Sequence, residues 1–228
     1  NLRSAGPGLG LSKRAYHGGS SDDTREALKW IEQKFPQSPV TQVGFSLGAN
    51  ITLKAAGEDG SRPTGNLDSI VAVSPPTDLR ESVRRLDSKE SAVFRKFFMK
   101  YLVKDVQKLH AKYPELGPVL VTKDMSVALF DEIFTAPNAG FNSSEDYYRE
   151  SSSAKYIPEI KVPALIIGSQ DDPIAASEPL LDIPTGDNID LILTKHGGHV
   201  GFLGFGSQWE EVRWADEAVA KWIESFLI

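Results

Sequence analysis

The sequence contains no cysteine, which excludes disulfide staples, thiolate metal sites and a cysteine nucleophile. It has no apolar run near the roughly 18 residues that a membrane-spanning helix needs. It has no surplus of positive charge: 25 basic side chains stand against 31 acidic ones, for a formal net charge of −6. That balance argues against a nucleic-acid partner, whose usual footprint is a basic stripe. Internal repeats and low-complexity tracts are missing too, so solenoid and linker-like architectures drop out. No leader-like order of charged then apolar residues opens the chain. It begins at Asn1 without an initiator methionine, so the compartment stays open, and the lack of thiols is compatible with a reducing one.

What is present is ordinary for a globular chain: 40% hydrophobic and 25% charged residues over 228 positions. That length predicts a single domain over residues 1–228, able to bury roughly 70% of its unfolded surface without staples. Residues 1–22 are rich in Gly and Ser and read as loop. Asp23 is placed to cap a helix over Thr24–Phe35, where Leu28, Ile31 and Phe35 recur at helical spacing, and the prolines at 36 and 39 end it. Val40–Phe45 reads as a short strand, Leu47–Gly57 as a helix, and Ile70–Val73 as a second strand closed by Pro75 and Pro76.

From about residue 77 to 158 the pattern turns helical. Val93–Leu109 would set Phe94, Phe97, Phe98, Tyr101, Leu102, Val106 and Leu109 on one broad face, and Met125–Phe134 reads as a shorter helix. Strand patterns return at Val162–Ile167 and Ile189–Leu193, and a last helix over Glu210–Leu227 spaces Trp214, Ala218, Trp222 and Phe226 four apart. Short buried strands alternating with amphipathic helices predict an α/β fold, a mostly parallel sheet with flanking helices. The helical interval is too long for a simple crossover. It is expected to form a helical cap insertion over one edge of the sheet, projecting at the carboxyl ends of the strands, where such sheets bind ligands.

Gly44-Phe45-Ser46-Leu47-Gly48 matches G-x-S-x-G between the first strand and the helix that follows, the setting of a nucleophile elbow. Strand and helix can approach around the serine only if the residues two positions away lack bulk. A serine in that turn selects acyl transfer through an acyl-enzyme. The helix start behind Ser46 offers the Leu47 N–H and a partial positive charge to a developing oxyanion. The bland reading is a glycine-flanked turn with an incidental serine.

An elbow serine needs a base and a carboxylate that orients it, in the chain order Ser, Asp/Glu, His. Histidines occur only at 17, 110, 196 and 199. His17 precedes the serine and His110 sits in the helical interval, which leaves the segment after the last strand. There His199 follows Gly197-Gly198 and precedes the apolar Val200 and Phe202, so it is preferred as the base, with His196 a solvent-facing loop residue. The acid belongs after the preceding strand, at Asp171-Asp172-Pro173. Asp172, directly before the proline, is preferred, and Asp171 is the alternative acid or a turn residue.

Taken together, Tyr16-His17-Gly18-Gly19, Val43 to Asn50 around the elbow, Asp171-Asp172-Pro173 and Gly197-Gly198-His199-Val200-Gly201-Phe202 resemble the YheT-like branch of the α/β-hydrolases. That branch contains esterases, lipases and related acyltransferases, including the plant embryogenesis-associated type. The resemblance implies an α/β-hydrolase fold, a Ser46–Asp172–His199 triad, acyl-ester and often lipid-like substrates, and neither cofactor nor metal. It also implies N-terminal strands ahead of Asn1, with the loop that supplies the second oxyanion donor. The chain is therefore expected to lack those strands and to expose a sheet edge that a missing segment or a partner would complete.

Two weaker signals remain. His17 and Asp22 form an H-x4-D spacing, read here as turn and cap chemistry. Lys96, Lys100, Lys104 and Lys108 recur every fourth residue, as a solvated face opposite Phe97 and Tyr101 or, more sharply, as a peripheral contact with anionic lipid. The leading expectation is a serine esterase or lipase. An acyltransferase using the same triad, and a non-catalytic binding or scaffold remnant of a hydrolase, are the rivals.

Overall fold

A computed structural model of the chain describes residues 2–204 and 212–226. Four strands, β1 (Val40–Phe45), β2 (Leu67–Val73), β3 (Ala164–Ser169) and β4 (Ile189–Thr194), pair in the order β1-β2-β3-β4, all parallel. Parallel neighbours need crossovers. Helix α2 (Leu47–Asp59) joins β1 to β2, and α8 (Glu178–Asp182) lies between β3 and β4. Helix α1 (Ser21–Lys34) precedes the sheet and α9 (Trp214–Glu224) follows it.

Side chains on a strand alternate between faces, and here both faces are apolar. Ile70, Ala72, Ala164 and Ile166 pack with Leu28 of α1 and Ala49, Leu53 and Ala56 of α2. Val71, Val73, Leu165 and Ile167 point the other way, onto Ala215 and Val219 of α9 and onto Phe202. The sheet is covered on both sides, as near-continuous Val/Ile/Leu strands require. Beyond β2, β1 pairs with no other strand among the described residues, and Val43 and Phe45 on it are exposed.

Between β2 and β3 run α3 (Leu79–Leu86), α4 (Ala92–Lys112), α5 (Val127–Phe130), a π turn at Asp131–Thr135, α6 (Ala136–Ala139), α7 (Ser144–Ser151) and a 3-10 segment, Ala154–Glu159. Their own core joins Leu86, Met99, Val103, Val106, Val127 and Phe130, and Ile174 from the loop after β3.

Several sequence expectations shift. Helix α1 starts at Ser21 with Ser20 as N-cap, so Asp23 is a first-turn acid and not the cap; it meets the N-terminal positive end of the helix and pairs with Arg3. Of that helix's three spaced apolar residues Leu28 is buried, whereas Phe35 caps the end and is exposed. The helix read from Met125 starts at Val127, where the Ser126 hydroxyl accepts the Leu129 N–H at 3.1 Å. The last helix is described from Trp214 to Glu224, and the rest of the Glu210–Leu227 reading that falls on 210, 211 and 227 lies outside the described residues.

The largest correction concerns α4. Its buried residues are Met99, Val103, Val106 and Leu109, while Phe94, Phe97 and Tyr101 face outward. At about 100° per residue, Lys104 and Lys108 share that outer face with Phe97 and Tyr101 and do not oppose it.

Candidate active site

Ser46 caps α2 at the end of β1, and its backbone sits at φ 51°, ψ −122°. A non-glycine residue at positive φ is strained and persists only where its surroundings fix it. Here they do: the Ser46 N–H donates to Val73 O at 2.9 Å, and the Ser46 carbonyl accepts the Ala49 and Asn50 N–H groups at 2.9 and 3.2 Å. The amides of Leu47 and Gly48 precede Ala49, the first amide bonded back to Ser46, so they are the donors left over at the helix start.

The two elbow glycines differ in their reasons. A Cβ on Gly44 would lie 2.5 Å from Gly48 O and 2.6 Å from Thr52 Oγ1, so no side chain fits. A Cβ on Gly48 would meet nothing within 4 Å, because Gly48 borders an open cavity. Close approach of strand and helix therefore explains Gly44 alone, which corrects the symmetric steric reading.

Ser46 Oγ lies 2.8 Å from His199 Nε2. On the far side of the ring, His199 Nδ1 lies 2.9 Å from Asp172 Oδ2 and 3.1 Å from Oδ1. A carboxylate can only accept, so Nδ1 carries the proton and Nε2 presents its lone pair to the serine hydroxyl. The Asp172 side chain is 1% exposed and that of His199 10%. Oδ1 of Asp172 also accepts the Ile174 and Ala175 N–H groups at 2.8 and 2.9 Å, which satisfies a buried charge and fixes its orientation.

Asp171 does different work. It accepts the Ser169 hydroxyl, the Gly197 and Gly198 N–H groups at 3.0 and 2.8 Å, and His196 Nδ1 at 3.3 Å. The Ser169 hydroxyl and these amides hold its carboxyl well below the ordinary range. It thus ties the end of β3 to the loop that carries His199. That loop turns tightly: Gly198 and Val200 adopt φ 58°, the Phe202 N–H returns to Gly197 O at 2.9 Å, and Phe202 is buried in the core. A Cβ on Gly197 would sit 2.6 Å from the Phe202 ring.

His196 is 88% exposed at the side chain, and His110 bonds Gly117 O at 2.9 Å on the far part of α4. Neither is bonded to Ser46, whose hydroxyl meets His199 instead. The H-x4-D pair is not assembled: Asp22 is 95% exposed and paired with Arg25. His17 accepts the Gly19 N–H on Nδ1 at 3.2 Å and stacks edge-on against Phe141 and Tyr147. Burial, helped by Lys54, lowers its pKa to about 4.

Ser46 opens on a cavity of about 360 Å³. Phe98, Leu102, Val106 and Leu109 of α4, Val83 and Leu86 of α3, Phe130 and Ile174 make its walls largely apolar. His17 and Asp131 also line it, and neither was picked out as a wall residue from sequence. The Asp131 carboxyl accepts the Tyr148 hydroxyl at 3.0 Å, and burial raises its pKa to about 6. Asn50, fully buried, stitches the site's frame together. Its Nδ2 donates to Gly18 O and Ser151 O, both at 2.8 Å, and its Oδ1 accepts the Ser153 N–H at 2.9 Å. No His, Asp or Glu cluster among the described residues has the grouping of a metal site.

Strand, strained serine, buried acid and histidine loop thus follow one another as a nucleophile-elbow sheet requires. A family model described as the alpha/beta hydrolase fold matches residues 6–204. The chain belongs to the α/β-hydrolase family. It is 29% identical over 221 residues to YheT of Escherichia coli, covering 94% of this chain and 63% of that protein. It is also 29% identical to a monoacylglycerol lipase of Saccharomyces cerevisiae, covering 92% of this chain and 48% of that one. Among solved structures, an esterase of Pyrococcus furiosus superposes with a TM-score of 0.52 at 19% identity, over 90% of this chain and 61% of its own; at that identity the likeness concerns the fold. The chain spans about half to just under two thirds of the length of these relatives. The match to YheT agrees with the branch that the motifs resemble. No helix among the described residues is long and apolar enough to cross a membrane.

Proposed function

We propose that this α/β-hydrolase cleaves carboxylic esters with an acyl, lipid-like part through an acyl-enzyme on Ser46. The observation that carries the reading is the 2.8 Å approach of Ser46 Oγ to a His199 ring already held by buried Asp172, at the mouth of an apolar cavity. The relative named monoacylglycerol lipase supports a glycerol- or alcohol-ester substrate.

In this reading the ester's acyl chain lies along Phe98, Leu102 and Val106. Ser46 Oγ bonds to the acyl carbon while His199 Nε2 takes its proton, and Asp172 stabilises the resulting imidazolium. The oxyanion faces the start of α2, where the Leu47 N–H donates to it. His199 then returns the proton to the leaving oxygen as the C–O bond breaks and the alcohol departs. Water repeats the sequence on the acyl-enzyme, giving the carboxylic acid and the free serine.

The test is labelling of the chain with a fluorophosphonate, peptide mass mapping, and hydrolysis of a p-nitrophenyl ester series. Expected are a single adduct on Ser46, a preference for chains longer than acetyl, and loss of both signals in Ser46→Ala. A folded chain that neither labels nor turns over would favour the binding-remnant reading. Ester formation in the presence of added alcohol would redirect the same site to acyl transfer.

A further inference from the structure

The outer face of α4 has no part in the fold or in the chemistry described above. Val93, Phe94, Phe97 and Tyr101 are 79%, 43%, 62% and 47% exposed, while the inner face is already served by Met99, Val103, Val106 and Leu109. Around Phe97, a rotation of about 100° per residue places Val93 and Tyr101 within roughly 40° and Phe94 at about 60°. Four large apolar groups therefore form one patch. Lys104 and Lys108 continue the same face along the helix, and Lys100 and Lys96 flank it. All are exposed, as is Lys112. Lys96, Lys100, Lys104 and Lys112 have no carboxylate partner among the described residues, and Lys108 meets Asp105 only at 3.8 Å. In a chain of net charge −6, α4 carries six basic side chains and one acidic one.

We propose that this face is a docking surface for a lipid bilayer with anionic headgroups. The surface is one side of a helix from which exposed rings project beside a row of lysines. Rings beside a lysine row suit a headgroup layer, where apolar tips reach the acyl boundary and ammonium groups meet phosphate and carboxylate charge. The placement also gives the surface a use, which rests on the lipid-ester reading of Ser46. The opposite side of α4, through Phe98, Leu102, Val106 and Leu109, walls the cavity at that serine. One helix would then separate the membrane from the site and set a lipid ester's path to it.

The test is co-sedimentation of the full chain, carrying Ser46→Ala to prevent lipid turnover, with phosphatidylcholine vesicles and with vesicles containing about one third phosphatidylserine. The expected result is partition at least about a hundredfold stronger to the anionic vesicles, weakening as salt screens the lysines. A lysine near an anionic surface is worth about fivefold in partition, so K96Q/K100Q/K104Q should lose roughly a hundredfold. F97S/Y101S should weaken binding about tenfold or more, even on anionic vesicles. With Ser46 restored, both variants should hydrolyse a soluble short-chain p-nitrophenyl ester within about twofold of the parent, because none of these side chains lines the cavity. Absence of turnover in parent and variants alike would count against the catalytic reading and leave the vesicle result standing. No partition, equal partition to neutral and anionic vesicles, or indifference to either variant would overturn the proposal. Retention on immobilised polyglutamate without vesicle binding would overturn it in favour of an acidic protein partner.

Discussion

Asp171 and Asp172 are adjacent and both reach the histidine loop, so exchanging each for asparagine separates the orienting acid from the loop brace. In Asp172→Asn the Oδ1 can still accept the Ile174 and Ala175 N–H groups, whose bonds are 2.8 and 2.9 Å, so the fold is expected to survive. The amide NH2 then occupies the place of Oδ2, 2.9 Å from His199 Nδ1. Two donors cannot face each other, so the ring proton moves to Nε2, where it points at Ser46 Oγ and cannot be replaced by the serine's own. The loss of a correctly tautomerised base costs on the order of 10³–10⁴ in kcat, or about 4–5 kcal/mol of activation free energy. In Asp171→Asn the side-chain oxygen can still accept from Gly197 and Gly198, so kcat should fall less than about tenfold. The assay is kcat and KM on a p-nitrophenyl ester, normalised by active-site titration, with a thermal melt of each variant. A thousandfold loss in Asp171→Asn beside a mild effect in Asp172→Asn would refute the assignment.

Three further outcomes are expected. Gly44→Ala forces a methyl to 2.5 Å from Gly48 O and should prevent soluble expression or cost about 3 kcal/mol or more, whereas Gly48→Ala should melt within a few degrees of the parent; equal melts would undo the steric argument. Asn50→Ala leaves Gly18 O, Ser151 O and the Ser153 N–H unpaired, at about 1–3 kcal/mol each, so urea denaturation should show a loss of roughly 3 kcal/mol or more, and a loss under 1 would contradict the bridging role. Asp131 has its folded pKa raised to about 6 from 3.8, so the folded state favours the neutral acid and the parent loses stability as pH rises from about 4 to 6. Asp131→Asn should escape that loss, and its stability relative to the parent should climb by about 2 kcal/mol across the window; thermal melts showing a flat or falling difference would exclude the buried charge as the cause.

The sheet and the elbow were legible because their causes are local. Continuous apolar runs bounded by Gly and Pro leave little choice but buried strands, and Gly44 records in the sequence a contact between β1 and α2. Asp172 was separable from Asp171 by its position before Pro173, since the turn that follows supplies the Ile174 and Ala175 amides. Local signals fail where the deciding partner is far along the chain. The start of helix α1 falls in the run Ser20, Ser21, Asp22 and Asp23, all good caps, and no local preference chooses among them. Helix α4 has apolar residues around most of its circumference, so periodicity cannot say which side is inward. The side taken for core was partly the outside. His17 becomes a cavity wall only through Phe141 and Tyr147, more than 120 residues away.

The helical interval does more than roof the cavity, because it also holds the acid in place. Arg85 of α3 donates from Nη1 to the Asp172 carbonyl at 3.2 Å, while Glu81 and Glu178 fix its other nitrogens. The Ser91 hydroxyl donates to Pro173 O at 3.3 Å, and Ile174 is packed in the interval's own core beside Met99 and Val103. Three consecutive residues, Asp172, Pro173 and Ile174, are therefore gripped by α3 and α4 from one side and by β3 from the other. The carboxylate that must aim at His199 within a few tenths of an ångström is set by both bodies at once. It follows that a shift of α4, the helix whose outer face carries the exposed rings and lysines, would be felt at the acid as well as at the cavity wall. Surface and chemistry are joined through packed side chains.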